Sequence, residues 1–93
     1  MEPLKVKNNE EISQFEAELE GEKAFVGYRK EADGSLNILH TEVPEKFEGK
    51  GVGSRLVKET LEQIKVSGNK IIPSCPFVAK YIERHPEYES LIK

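Results

Sequence analysis

Apolar and polar residues alternate with a period of two through the first part of the chain, the spacing of strands with one covered face. Leu4 and Val6 alternate with lysines, and Asn8-Asn9 ends that run. Phe15, Ala17 and Leu19 interleave with Glu16, Glu18 and Glu20, which predicts a second strand with one wet face. Gly21 allows a turn. Ala24, Val26 and Tyr28 then alternate with Phe25, Gly27 and Arg29 as a third strand, and Asp33-Gly34 turns the chain back. Leu36 to Val43 is the fourth. Strict alternation puts Leu36, Ile38 and His40 on one face and Leu39, Thr41 and Val43 on the other. Apolar residues on both faces predict a central place for this strand in a four-stranded antiparallel meander.

Pro44 stops the alternation, and the period changes to that of a helix. Val52, Leu56, Val57, Leu61 and Ile64 share one face, while Arg55, Lys58, Glu59, Glu62 and Lys65 take the other. Gly68, within Ser67-Gly68-Asn69, suits the left-handed position that closes a helix. Ile71-Ile72 reads as a short strand, and a strand–helix–strand unit of this length favours a parallel return beside Leu36–Val43. Pro76 opens a last helix that points Phe77, Val78, Tyr81 and Ile82 inward, and His85-Pro86 closes it. The expected architecture is a mixed α/β (α+β) fold in one domain over 1–93: an antiparallel meander, a helix, a parallel strand and a C-terminal helix.

Composition narrows the function classes. The 93 residues are 37% hydrophobic and 33% charged, ordinary for a folded domain and too apolar for a disordered chain. The net charge is −3 with both signs interspersed, so no basic face invites nucleic acid. No apolar run approaches the roughly 20 residues of a membrane span, and nothing resembles a signal peptide. Cys75 is the single cysteine, so no disulfide framework and no metal-binding cysteine spacing exist. A cytoplasmic location is the expectation.

The segment FEGKGVGSRL, residues 47–56, sets Gly49, Gly51 and Gly53 where a helix begins. Glycine costs about 1 kcal/mol relative to alanine inside a helix, so its concentration here asks for a reason. Free N–H groups and the positive end of the helix dipole make such a place an anion site, and Lys50 and Arg55 add charge nearby. The spacing fits neither a dinucleotide-binding GxGxxG nor a Walker A loop. A phosphate cradle and a flexible loop both remain open on glycine spacing alone.

The wider context is more specific. HTEVP followed by EGKGVGSRL resembles the acetyl-CoA motif of the GNAT N-acetyltransferases, Gln/Arg-x-x-Gly-x-Gly/Ala, with Gly51 and Gly53 on its two small positions and Glu48 where Gln or Arg is usual. With IIPSCPFVAKYIERHPEY added, nearly the whole chain is similar to the minimal GNAT-like group, the YjdJ-type N-acetyltransferase-domain-containing proteins. The resemblance implies acetyl-CoA or coenzyme A as ligand. Its pyrophosphate would lie on Gly49, Lys50, Gly51, Val52, Gly53 and Ser54, with Arg55 close by. Its pantetheine arm would run along Thr41, Glu42 and Val43. Only Asn9 to Gln14 separate the first two strands, too few residues for the two helices that commonly cover the acceptor in this family. The acceptor site is therefore expected to be open, supplied by a partner, or absent.

Two residue types could carry chemistry. Cys75 precedes Pro76 at a helix start, where the dipole favours a thiolate, although a small cysteine filling a core gap has the same sequence appearance. His40, near the expected pantetheine, could take a proton from an amine or from the Cys75 thiol, or serve structure alone. Glu42 could orient His40, and His85 suits a helix-end position. The leading expectation is an acetyl-CoA-dependent N-acetyltransferase acting on an amine, directly or through a Cys75 thioester. The alternative is a coenzyme A-binding module that regulates or docks to a partner; a plain adaptor leaves the glycines unexplained.

Overall fold

The computed structural model describes residues 4–93. Residues 1–3, at the start of the expected single domain, lie outside the described residues. The strands are β1 (Lys7–Asn9), β2 (Gln14–Leu19), β3 (Glu22–Lys30), β4 (Leu36–Glu42) and β5 (Ile71–Pro73), and the α-helices are α1 (Val52–Ser67) and α2 (Pro76–Arg84). They form one sheet in the order β1-β2-β3-β4-β5. The first four strands pair antiparallel as a meander, and β5 lies parallel to β4. β1 begins later than the alternation suggests: Leu4 is buried but stands ahead of the strand, and pairing starts at Lys7. Glu20 and Gly21 both adopt positive φ between Leu19 and its partner Glu22, the geometry of a tight hairpin turn.

Both helices pack on the sheet face that carries Phe15, Ala24, Val26 and Ile38. Leu56, Val57, Leu61 and Ile64 of α1 are each at most 1% exposed. Burying such a side chain stabilises the fold by roughly 1.5–3 kcal/mol. Gly68 ends α1 in the left-handed conformation, its N–H bonding to the Ile64 carbonyl at 3.0 Å. Two 3-10 turns that periodicity does not announce complete the chain, Glu45–Phe47 ahead of α1 and Pro86–Leu91 after α2. Lys46 in the first of them pairs with Glu22 at 2.9 Å and Glu20 at 3.8 Å, tying the approach to α1 onto the β2–β3 turn.

Candidate active site

The site begins with a β-bulge. Gly27 of β3 opposes His40, but its neighbour Tyr28 opposes Ile38, so Leu39 is an extra residue on β4. A bulge resets which face each following side chain takes. His40 therefore leaves the face of Leu36 and Ile38, where strict alternation would place it. It lies exposed on the opposite face, its ring edge-on to Phe25 with centroids 5.8 Å apart. Gly27 makes room: a Cβ there would stand 2.5 Å from His40 Nε2. Thr41, conversely, turns toward the helices with its partner Val26.

The second element is a gap beside β4. The β4–β5 register runs only from Leu36↔Ile71 to Ile38↔Pro73, and the Cys75 N–H then bonds to the Ile38 carbonyl at 2.9 Å. Pro73 offers no N–H to extend the ladder, and the chain turns away into α2. The β5-side edge of β4 from Leu39 to Glu42 consequently has no strand partner among the described residues.

The third is the N-terminus of α1. Gly51 caps it at φ 78°, and Gly49 has the same positive φ, which explains two of the three glycines by backbone conformation. A Cβ at either would meet nothing within 4 Å, so the space in front of the cap is open. Gly53 has a different reason: a Cβ there would come within 3.0 Å of the Phe77 ring. The first-turn N–H groups of Val52, Gly53 and Ser54 have no intrahelical acceptor. No acidic residue lies in that turn to offset its positive end.

These elements enclose a cavity of about 500 Å³, within the range of small-ligand sites. Thr41, Glu42, Val43, Gly49, Gly51, Val52, Gly53 and Ser54 line it, together with Phe47, Glu48 and Phe77. Lys50 and Arg55 do not, so any charge they lend acts from outside the lining. Helical spacing assigns Phe77 to the core, but it is 45% exposed and stands over Gly53 as a wall of the cavity. A place at the cofactor's edge is the other sequence reading of this aromatic, and the close approach of α2 to the first turn of α1, a long-range contact, decides between the two. Glu42 and Glu48 are the carboxylates on the rim.

Cys75 is the N-cap residue of α2, as its position before Pro76 suggests, and makes no side-chain cap bond. It is 4% exposed, with Sγ 3.6 Å from Thr41 Oγ1. Thiol and imidazole thus stand on opposite faces of β4, and His40 is not positioned against the Cys75 thiol. A turn, and no helix, joins β1 to β2, and neither helix covers the sheet face that holds Phe25 and His40. His85 closes α2; its Nδ1 lies 2.9 Å from the Tyr81 carbonyl, and its ring stacks on Tyr81. Among the described residues no cluster of histidine, cysteine and carboxylates could hold a metal ion, and no helix is long and apolar enough to cross a membrane.

Comparison with known proteins agrees with this geometry. A family model described as GCN5-related N-acetyl-transferase matches residues 14–91. Protein NATD1 of Mus musculus is 27% identical over 86 residues, covering 90% of this chain and 78% of its own. Protein NATD1 of Danio rerio is 27% identical over 89 residues, covering 91% and 81%. Among solved structures, the NMR solution structure of a GCN5-like protein from Staphylococcus aureus superimposes with a TM-score of 0.69 at 31% identity, covering all of this chain and 91% of that one. A match from β2 to the last 3-10 turn, together with the shared fold, identifies the chain as a member of the GCN5-related N-acetyltransferase family.

Proposed function

We propose that this protein is an acetyl-CoA-dependent N-acetyltransferase acting on an amine. The observation that carries the reading is the cavity formed by an unpaired strand edge and a helix N-terminus with no side-chain cap bond and no acid in its first turn. A diphosphate suits the N–H groups of Val52, Gly53 and Ser54, and an amide-containing arm suits the open edge at Thr41 to Val43. As acyl donor, acetyl-CoA supplies a thioester whose carbonyl carbon is open to nucleophiles. On the uncovered sheet face, His40 can accept the proton that the amine loses as its nitrogen bonds to that carbon. The carbon–sulfur bond breaks, and the coenzyme leaves as a thiolate that takes up a proton from water to become the thiol. On the helix side, Cys75 Sγ could instead take the acetyl group as a thioester, the coenzyme leaving as the thiol with the proton Cys75 gives up, and then pass the acetyl group to the amine, whose proton restores the Cys75 thiol.

One observation favours the second reading, a coenzyme-binding module without turnover: the buried thiol and the exposed imidazole do not form a pair. Intact mass and melting temperature separate the possibilities. Coenzyme A should raise the melting temperature, by the equivalent of about 2.7 kcal/mol at a hundredfold excess over Kd. Gly51→Val should abolish that shift while circular dichroism stays native. Indifference of the wild type to millimolar coenzyme A would sink the reading. With acetyl-CoA alone, an acetyl adduct absent from Cys75→Ser marks the covalent route. Acetylation of an added amine by Cys75→Ser marks direct transfer. Binding without either product marks the module.

A further inference from the structure

We infer that a second hollow beside the cavity selects for the 3′-phosphate on the ribose of coenzyme A, and that Lys80 and Arg84 make that selection. The inference rests on the coenzyme reading above. The hollow measures about 120 Å³ and shares Ser54 and Phe77 with the larger cavity. Lys80, Tyr81, Arg84 and His85 form the rest of its lining. Lys80 and Arg84 are four residues apart on α2, hence one turn apart on the same face. Neither forms an ion pair with a carboxylate among the described residues. The wall behind them is fixed. The His85 ring lies on Tyr81 with centroids 4.0 Å apart, and because a carbonyl can only accept, its Nδ1 donates to the Tyr81 oxygen.

The chemistry of the ligand gives the hollow its role. Coenzyme A runs from pantetheine through pyrophosphate to a ribose bearing a 3′-phosphate. A pyrophosphate on the α1 cap with pantetheine along β4 leaves the ribose on the other side of the cap, where Ser54 and Phe77 lead into the hollow. A phosphate group carries close to two negative charges at neutral pH, and adjacent Lys and Arg are its ordinary partners. Opposing charge is present: after burial, Glu87, Glu62 and Glu59 also push the Tyr81 phenol upward. Discrimination therefore depends on the two cations outweighing those carboxylates.

The test titrates coenzyme A and 3′-dephospho-coenzyme A into the wild type and into a Lys80→Gln/Arg84→Gln variant at low salt. Both substitutions fall on exposed positions, and circular dichroism checks the fold. The wild type should bind coenzyme A about tenfold or more tightly than the dephospho form, and the variant should bind the two within about twofold of each other. Equal binding by the wild type, or discrimination retained by the variant, overturns the inference while leaving the coenzyme reading intact. If neither ligand binds the wild type, the coenzyme reading fails and this inference fails with it.

Discussion

A missing Cβ at Gly27 lets an imidazole lie against a β-sheet. Alanine there would put a methyl group 2.5 Å from His40 Nε2, and the ring tip is the part that can move. Gly27→Ala should thus change the unfolding free energy by less than about 1 kcal/mol while displacing His40. The His40 ring resonances should shift, and amine acetylation should slow if His40 is the base; an unmoved ring would show that Gly27 does not set its position. Neither the contact nor the face of His40 is legible in the alternation, because a pattern of period two carries no information about an inserted residue. The glycines of residues 49–53 are partly legible. Their number signals an unusual backbone, but the signal does not separate positive φ at Gly49 and Gly51 from close packing of Phe77 on Gly53.

Helix α1 and the meander follow from local pattern because each buries a face its own periodicity defines. The Pro86–Leu91 turn does not, because side chains far away in sequence hold it. Tyr88 is 3% exposed and donates its hydroxyl hydrogen to Glu62 Oε2 on α1. Burial first, and then that bond to Glu62, hold its phenol well above the usual range. Tyr88→Phe keeps the ring but removes the donor from a carboxylate, so it should cost about 1.5–3 kcal/mol in denaturant unfolding. A loss below about 0.5 kcal/mol would mean that water replaces the hydroxyl without penalty. β5 is legible as a short strand and as parallel, but not the point along β4 where its pairing stops. Three paired residues ending in Pro73 make the gap, and only the tertiary path of the chain into α2 shows that β4 outlasts its neighbour.

Across the whole molecule, the end of the chain is fastened to the middle. The Lys93 N–H bonds to the Ile71 carbonyl at 2.9 Å, Ile92 bridges to Ile71, and the Lys93 ammonium pairs with Asp33 in the β3–β4 turn. Lys93 first, then the hydroxyl and N–H of Ser35, hold the Asp33 carboxyl well below the usual carboxylate range. A lowered folded pKa means that this contribution is present above the unfolded value, near 3.9, and is lost as pH falls below it. Asp33→Asn should therefore flatten the decline of melting temperature below about pH 4, with a smaller difference in high salt. Identical acid profiles for variant and wild type would show that the fastening does not depend on that charge. The same fastening covers β5 from outside, whereas its inner partner β4 is left bare on its β5-side edge from Leu39 to Glu42. A strand edge left open within a sheet borders both of its faces. Thr41 turns toward the helices and Glu42 toward the uncovered side, yet both border one cavity. Two molecules that met at this edge from opposite faces would not compete for one doorway, which is the topological condition for holding both at once.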